Sequence, residues 1–208
     1  MNNQTKNPAY RIQTERLIIR CWQPDDAPLL KEAVDGSLIH LRPWLPWAHH
    51  DPQPLAEKVQ LLRTFRGNFD LGQNFVYGIF DLDETKVLGG TGLHPRIGEG
   101  ALEIGYWIRV DATSRGLATE TAAALTKVAF EVHQVDRVEI HCHPKNRRSA
   151  AIPHKLGYAY PANIAQQASS DGADVESLIW PLYRKQYPES PAAACQLKAF
   201  DVVGTRIL

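Results

Sequence analysis

A turn of glycine and small residues at positions 113–118 is the first segment whose composition suggests chemistry. It consists of Thr113, Ser114, Arg115, Gly116, Leu117 and Ala118, and an amphipathic helical pattern follows it directly. The first amides of a helix have no intrahelical partner, and the positive end of the helix dipole favours an anion there. The turn is therefore a candidate phosphate site, to which Arg115 would add a charge-assisted contact. Small residues that allow tight helix packing would explain the same composition equally well.

Glu103 lies on the strand pattern that leads into this turn. Alternation along that strand places Glu103 on the same face as Gly105 and Trp107, opposite Tyr106. A carboxylate beside a phosphate-binding turn is suited to accept a proton from an ammonium group. The alternative interpretation is a carboxylate at a sheet edge that is exposed to solvent.

The chemistry-bearing segments occur in an order that resembles a known family. The stretches GYWIRVDATSRGLATETAAALTKVAFE and HPKNRRSAAIPHKLGY resemble the GNAT N-acetyltransferase superfamily, in its ribosomal-protein N-acetyltransferase (RimJ/RimL-like) branch. TERLIIRCWQPDDA and LRPWLPWA resemble the same branch, so the resemblance covers roughly residues 10–184. It implies an enzyme that transfers an acetyl group from acetyl-CoA to a primary amine by direct attack. The acceptor would be a protein N-terminal amine or a small-molecule amine.

The resemblance assigns most of the cofactor site to backbone groups. It implies that the pantetheine arm of acetyl-CoA pairs with the backbone of Trp107, Ile108 and Val110, in a gap where two neighbouring strands splay. It also implies that the pyrophosphate lies on the turn at 113–118. Within that turn, Thr113 replaces a long polar residue of the family pattern, and Ser114 stands where this branch often has a glycine. The phosphate contacts would therefore rely on backbone amides and Arg115.

The same resemblance suggests the acid and the base. It points to Glu103 as the base, to Asn146 as a hydrogen-bonding partner of the pantetheine region, and to Ser149 as a residue near the sulfur. Many members have a tyrosine seven residues after the asparagine as the acid toward the leaving thiolate, but here that position is Pro153. Ser149 is the predicted substitute, and His154 is the alternative. Helix capping beside Asn146 would be a purely structural role for Ser149, and Pro153 lacks the amide that would bond the Ser149 carbonyl.

A proline-stiffened loop with two tryptophans is the candidate acceptor site. Trp44 and Trp47 supply flat apolar walls, and Arg42 supplies a cation, which together suit a selective pocket. Anchoring of the loop on the hydrophobic core is the competing explanation. His94 follows a glycine-rich strand and could face the same cleft.

Neither the histidines nor the cysteines predict a metal site. His141 and His143 share one face of a strand from which Cys142 points away, and no further ligand pair follows at zinc spacing. The three cysteines, Cys21, Cys142 and Cys195, are far apart and odd in number, which fits reduced thiols better than a disulfide framework.

The elements that must position these residues alternate in type. Strand patterns occupy 11–22, 74–81, 87–93, 102–110, 137–142 and 175–183, and helical patterns occupy 24–36, 54–69, 116–133 and 146–156. This order predicts an α/β (α+β) fold with a GNAT-like, mostly antiparallel central sheet flanked by helices, in which splayed strands form the acetyl-CoA cleft. We expect one domain over 1–184 and a C-terminal extension over 185–208.

Composition and charge limit the partners. Lys and Arg total 23 and Asp and Glu total 23, so the formal charge is zero and predicts no general attraction to nucleic acid or to a membrane surface. The absence of a long apolar stretch predicts a cytoplasmic protein. The apolar tail, CQLKAFDVVGTRIL, leaves open either a homodimer or packing against the protein's own sheet.

A second function stays open because two positions depart from the family pattern. Thr113 weakens the expected phosphate site and Pro153 removes the expected acid. A non-catalytic acetyl-CoA-binding or interaction module is therefore the alternative to the enzyme.

Overall fold

A computed structural model of the chain describes residues 8–161, 164–168 and 174–208. The strands are β1 (Arg11–Gln13), β2 (Ile18–Cys21), β3 (Phe75–Phe80), β4 (Val87–His94), β5 (Ala101–Ile108), β6 (Arg137–Cys142), β7 (Ile164–Ala168), β8 (Asp174–Tyr183) and β9 (Lys198–Phe200). The helices are α1 (Ala27–Asp35), α2 (Leu38–Leu41), α3 (Leu55–Asp70), α4 (Leu117–Glu131) and α5 (Arg147–Lys155). None of these helices is long and apolar enough to cross a bilayer.

The strands form one mixed sheet. Their order is β7-β8-β6-β5-β4-β3-β2-β1-β9, and each neighbouring pair is antiparallel except β5 and β6, which run parallel. A parallel pair needs a long crossover connection, and here α4 supplies it. The predicted mixed, mostly antiparallel sheet with flanking helices is thus confirmed.

The sheet opens at its parallel pair. β5 and β6 are in register only from Ala101 and Arg137 to Ile104 and Ile140. Beyond that point β5 continues to Ile108 along β4, whereas β6 stays paired with β8 as far as Cys142. The second half of β5 therefore borders a gap, which confirms the predicted splay.

The two faces of the sheet carry different layers. α4 packs on β4, β5 and β6, and its buried positions such as Leu125 and Val128 join the main core with Ile104 and Ile140. The small residues of α4 allow this close approach. On the other face, α1 packs against α3 and β4 around a second cluster that includes Trp22. The gap between β5 and β6 thus has apolar support on one side and a side-chain-lined cleft on the other.

The first strand differs from its prediction. A single strand over 11–22 was expected, but the chain turns back at Thr14 and forms the antiparallel pair β1 and β2. The Thr14 amide donates to the Leu17 carbonyl at 3.0 Å, and the Leu17 amide donates to Thr14 Oγ1 at 3.1 Å. A threonine hydroxyl that satisfies a backbone amide favours a turn over continued strand. β7 was not predicted either, while β8 agrees with the pattern at 175–183.

The C-terminal tail packs on the sheet of its own chain. β9 pairs antiparallel with β1, Ala199 is buried, and the turn Pro191–Ala194 contacts α4. Of the two placements left open for the tail, the structure shows packing on its own sheet. The extension over 185–208 therefore adds a strand to the domain.

Candidate active site

A cleft of about 950 Å³ lies on the face of the sheet where β5 and β6 separate. One wall is formed by β4, β5 and β6, and the opposite wall by α3 and the loop that carries Trp44 and Trp47. The polar groups that project into it include His94, Glu103 and His141. Each of these three comes from a different strand, so the sheet register brings them together.

The turn at 113–118 presents unpaired amides. Gly116 has φ +80° and precedes α4, and the first backbone bond of that helix runs from Glu120 N to Gly116 O at 3.0 Å. The amides of Leu117 and Ala118 therefore lie ahead of the first helical hydrogen bond. Ser114 also has a left-handed φ, +62°, where the family pattern often has a glycine. The backbone of the turn is consequently shaped as an anion site in the predicted position.

The side chains of the turn mostly stabilise the turn itself. Thr113 Oγ1 donates to the Val110 carbonyl at 2.9 Å, and Arg115 Nη2 donates to the Asp111 carbonyl at 2.8 Å. Arg16, which the sequence did not suggest, donates from Nη1 to the Arg115 carbonyl at 2.9 Å. The conformation of the turn is thereby supported by hydrogen bonds from two segments of the chain.

The backbone that borders the gap differs by one residue from the prediction. Arg109 N donates to Leu88 O at 2.9 Å across β4, and backbone groups alternate in direction along a strand. The amides and carbonyls of Trp107 therefore point to β4, whereas those of Ile108 and Tyr106 point into the gap. Ile108 remains a candidate partner for the pantetheine arm, and Tyr106 takes the place predicted for Trp107.

Val110 lies in a short 3-10 turn beyond the strand, and its backbone is already bonded. Its amide donates to Ser37 Oγ at 3.1 Å, and its carbonyl accepts the Thr113 hydroxyl. The structure therefore does not support pairing of the Val110 backbone with pantetheine. The prediction for Val110 differs from the structure because its amide is bonded to Ser37, which lies in the α1–α2 connection.

Ser149 contacts the phenol of Tyr106 on β5. Tyr106 Oη lies 3.2 Å from Ser149 Oγ and 3.3 Å from the Ser149 carbonyl oxygen. Pro153 lacks the amide that would bond this carbonyl in a regular helix, so the carbonyl is free to accept from Tyr106. Burial raises the pKa of Tyr106, although its bond to Ser149 acts in the opposite direction. The phenol stays protonated and can orient the serine hydroxyl.

Asn146 caps a helix, and His154 packs against two aromatic rings. Asn146 caps α5, because its Oδ1 accepts from the Ser149 amide at 3.1 Å. His154 is exposed on the same helix, with its ring against Tyr160 and Trp180, and it lies outside the cleft. Ser149 contacts Tyr106, which lines the cleft, so it is better placed than His154 to meet a thiolate in the gap.

Glu103 is buried, so the alternative of a solvent-exposed edge carboxylate is wrong. Its side chain is 8% exposed, and Arg96 binds both oxygens, from Nε at 2.8 Å and from Nη2 at 2.5 Å. Burial alone would raise the pKa of Glu103, but the hydrogen bonds and the charge of Arg96 hold it below its usual range. Glu103 is a fixed negative charge at the floor of the cleft, which suits it to attract an ammonium group.

The His94 ring occupies space that is open because Gly92 has no side chain. Its Nδ1 donates to Asn74 Oδ1 at 2.8 Å in the neutral tautomer, and a Cβ at Gly92 would lie 2.6 Å from its Nε2. Burial lowers the pKa of His94 to about 4, and the charge of Arg96 acts in the same direction. The ring is therefore neutral near pH 7 and offers an unprotonated Nε2 on the wall of the cleft.

The loop with two tryptophans closes the cleft from above. Trp47 meets the Trp107 indole edge to face with centroids 6.0 Å apart, and Trp44 meets His143 at the end of β6, also at 6.0 Å. Arg42 does not line the cleft, because its Nη2 donates to the Asp51 carbonyl at 2.7 Å and its Nε to the Ala48 carbonyl. Arg42 braces the loop, and the tryptophans are left as the groups that can contact an acceptor.

Comparison with known protein families identifies the family of this chain. The acetyltransferase (GNAT) domain family matches residues 16–159, which is more than half of the chain. The chain belongs to the GNAT acetyltransferase family. It is accordingly an acetyl-CoA-dependent N-acetyltransferase, and the comparison favours the enzyme over the non-catalytic module. No group of three His, Cys, Asp or Glu side chains able to hold a metal ion occurs within 8–161, 164–168 and 174–208.

The chain is also similar to individual acetyltransferases, two of which carry ribosomal-protein or RimJ names. The chain is 25% identical over 156 residues, 73% of its length and 79% of the relative's, to the [Ribosomal protein uS5]-alanine N-acetyltransferase of Escherichia coli. The RimJ structure from Mycobacterium smegmatis, in complex with CoA-disulfide, superposes with a TM-score of 0.73 at 20% identity and covers 90% of this chain and 92% of that one. The Microcin C7 self immunity acetyltransferase MccE, in complex with acetyl-CoA and AMP, superposes with a TM-score of 0.73 at 16% identity. That comparison covers 82% of this chain and 93% of MccE.

The sequence analysis did not identify four residues of this GNAT site. Arg96 contacts Glu103, and Glu139 contacts His141. Tyr106 contacts Ser149, and Arg16 contacts the turn. The sequence alternation had set Tyr106 aside because it faces away from Glu103. Pairing within a site depends on strand register and loop path, which sequence spacing does not show. For Tyr106, the missing amide at Pro153 was the available signal, because it left a carbonyl that needed a donor.

Proposed function

We propose that the acceptor of this N-acetyltransferase is the N-terminal amine of a protein, presented to Glu103 at the floor of the cleft. The buried carboxylate beside a splayed strand pair is the observation that carries the proposal, because it offers a negative charge where an amine must meet the thioester. The names of the curated relatives support a protein acceptor. The two tryptophans on the wall of the cleft, which is about 950 Å³ in volume, offer apolar surface for residues that follow the acceptor amine.

Acetyl-CoA would lie along the gap. The amides of the turn at 113–118 would bind its diphosphate, helped by the dipole of α4, and the backbone of Tyr106 and Ile108 would pair with its pantetheine arm. Bound in this way, the thioester supplies the activated acetyl carbonyl. Thr113 and Arg115 would act by holding the turn, and Asn146 by starting α5 where Ser149 can face the sulfur.

The residues of the cleft would then serve the proton transfers. Glu103 would attract the acceptor ammonium and take its first proton, directly or through water, so that the neutral amine attacks the acetyl carbon. The Ser149 hydroxyl, oriented by Tyr106, would donate a proton to the leaving thiolate. His94, with its unprotonated Nε2, would accept a hydrogen bond from the acceptor. Trp44 and Trp47 would pack on the acceptor chain.

A variant of Glu103 tests the proposal. Purified protein is assayed for thiol release from acetyl-CoA with peptides whose N-termini begin with Ala or Ser, and with a panel of small amines. Glu103→Gln should lower kcat/KM by about 100-fold or more, since proton transfer by a positioned group contributes about that much. Its affinity for acetyl-CoA by calorimetry should stay within a factor of about three. Turnover of small amines with no turnover of peptides would refute the protein acceptor.

A parallel variant tests the acid. Ser149→Ala should lower kcat with little change in acceptor KM, because the serine acts on the leaving group rather than on binding. Ser149→Thr keeps the hydroxyl and is the matched control. Equal activity of the alanine and the wild-type proteins would show that solvent protonates the thiolate.

Three properties of the protein remain part of this proposal. A cytoplasmic location would place the enzyme with acetyl-CoA and with newly made proteins. A net charge of zero gives no reason for binding to nucleic acid. A homodimer is tested by light scattering on the full chain and on a chain that ends at residue 187, with a monomer mass for both excluding it.

A further inference from the structure

The Glu103 carboxylate is poorly suited to keep a proton. Arg96 donates to both of its oxygens, and protonation of either one would weaken a charged hydrogen bond in a buried site. The lowered pKa of Glu103 agrees with this geometry. An enzyme that relies on this carboxylate alone would meet each ammonium with a weak base, so a further proton acceptor is needed nearby.

His141 lies next to Glu103 in the same buried wall. Its side chain is 7% exposed, its Nε2 is 2.6 Å from Glu139 Oε2, and its Nδ1 is 3.5 Å from Glu103 Oε2. Parallel pairing places Glu103 directly opposite Glu139, so that both carboxylates point to the same face. The imidazole two residues farther along β6 thus connects two buried carboxylates.

The distances determine the tautomer of the neutral ring. The 2.6 Å contact requires a proton between Nε2 and Glu139, so Nε2 donates and Nδ1 carries the lone pair. That lone pair faces Glu103 Oε2 at a distance too long for a direct bond. A base whose second nitrogen is oriented by a carboxylate is the arrangement that activates histidine in enzymes.

We propose that His141, oriented by Glu139, is the residue that finally accepts the proton of the acceptor amine, by way of Glu103. This inference rests on the proposed function and extends it. The ammonium N–H bond breaks as a proton moves to Glu103 Oε2. The new hydroxyl donates a hydrogen bond to His141 Nδ1, which draws the two atoms together from their 3.5 Å separation. The O–H bond then breaks as the proton passes to Nδ1, which restores the Glu103 carboxylate beside Arg96. The imidazolium lies between two carboxylates until it releases the proton to solvent.

The charged surroundings of His141 come from every neighbouring element. β5 contributes Glu103, the loop after β4 contributes Arg96, and β4 contributes His94. β6 contributes Glu139, with Arg137 Nε at 2.8 Å from Glu139 Oε1, and His143 follows at its end. β8 contributes Glu176 at the rim, and the opposite wall contributes His50, Asp51 and Lys58. Of these, the groups in contact with His141 are the carboxylates of Glu103 and Glu139.

Two variants test the relay through the pH profile. His141→Gln keeps a donor for Glu139 but cannot take up a proton, so kcat/KM should fall by about 100-fold and lose its acidic limb. Glu139→Gln should lower kcat/KM by about tenfold and move the acidic limb to lower pH. His154→Gln, on the exposed face of α5, is the matched control and should retain wild-type rates. Unchanged rates and an unchanged acidic limb in His141→Gln would overturn the inference.

Two further measurements separate this inference from the proposed function. Calorimetry should show the same acetyl-CoA affinity for wild type and His141→Gln, and absence of turnover by wild type with every amine would count against the proposed function alone. The tautomer can be measured without any substrate, by long-range ¹H–¹⁵N correlation on the wild-type protein at high pH. A proton on Nδ1 of neutral His141 would disprove the relay whatever the activity.

Discussion

The two halves of the cleft are built by different means. The half that we propose for the cofactor offers backbone groups from one nearly continuous stretch, Tyr106 to Ala118, together with the start of α5. The half that we propose for the acceptor offers side chains from β4, β5, β6, the loop after β4 and the tryptophan loop. Backbone amides at a helix start depend on local conformation, whereas a charge cluster depends on strand register. The first half can therefore be damaged by one backbone change, and the second by loss of a charge partner.

The largest effect is expected from Gly116→Val, which tests the backbone half. A β-branched residue disfavours φ +80°, so the turn would rotate and its amides would leave the diphosphate. Loss of two charged hydrogen bonds, each about 1.5 kcal/mol, would weaken acetyl-CoA binding by about 100-fold. The measurement is calorimetric titration with acetyl-CoA.

Gly204→Val is the matched control for that change. Gly204 has φ +81° in the C-terminal tail, with no atom near its Cβ position, so the same strain falls far from the cleft. Both variants should lose about 1 kcal/mol or more of unfolding free energy, but only Gly116→Val should lose acetyl-CoA affinity. Equal affinities in the two variants would show that the turn does not hold the diphosphate.

The difference between the halves also explains what the sequence could predict. The turn at 113–118, the splay beside Ile108 and the helix start at Asn146 were predictable, because each is a local pattern in the order of a known family. The partners of Glu103 were not, because Arg96 reaches it through a loop and His141 through the parallel register of β6. Arg42 was assigned to the acceptor from its type alone, and its bonds to loop carbonyls show that a nearby cation need not face a cleft.

Fold prediction failed for a similar reason at two places along one edge of the sheet, where β2, β1 and β9 lie side by side. The turn at Thr14 divides what looks like one strand, because its hydroxyl competes with strand pairing over only a few residues. β9 is three residues long, and its place on β1 depends on the path of the tail. Neither feature produces a periodic pattern, whereas α4, with its long apolar stripe, was predicted within a few residues.

Arg96→Gln tests the acceptor half and should have the next largest effect. Glu103 has a lowered pKa in the folded protein, so its ion pair adds stability above the unfolded-state pKa of about 4.3 and loses it as pH falls through the folded value. Because Arg96 is 58% exposed, the loss at pH 7 should be about 1–2 kcal/mol. Urea denaturation at pH 7 and at pH 3.5 should show the difference shrinking at the lower pH.

Arg66→Gln provides the comparison for that measurement. Arg66 and Asp70 form an exposed pair within α3, with side chains 28% and 43% exposed, and such pairs contribute about 0.5 kcal/mol or less. Acetyl-CoA affinity should be unchanged in Arg96→Gln, which separates the two halves. A large loss of that affinity would mean that the charge cluster also shapes the cofactor half.

A smaller effect is expected from Trp47→Ala in the loop over the cleft. The Trp47 indole packs edge to face on Trp107, and its removal should raise the KM for a peptide acceptor by about tenfold, or about 1.4 kcal/mol. Trp47→Phe keeps an aromatic ring and should restore most of the loss. If acetyl-CoA affinity fell as much as acceptor affinity, the loop would belong to the cofactor half.

The smallest effect is expected from Ser114→Gly, which sharpens the account of the backbone half. Ser114 has φ +62°, which costs an L-residue about 1 kcal/mol or more, while glycine adds backbone entropy to the unfolded chain. The two terms nearly cancel, so the unfolding free energy should rise by no more than about 0.5 kcal/mol. Gln134→Gly, at φ +59° after α4, should behave alike in stability. Because the wild-type turn already has the conformation that glycine would adopt, acetyl-CoA affinity should change by less than about threefold, and a large gain would mean that the serine holds the amides out of place.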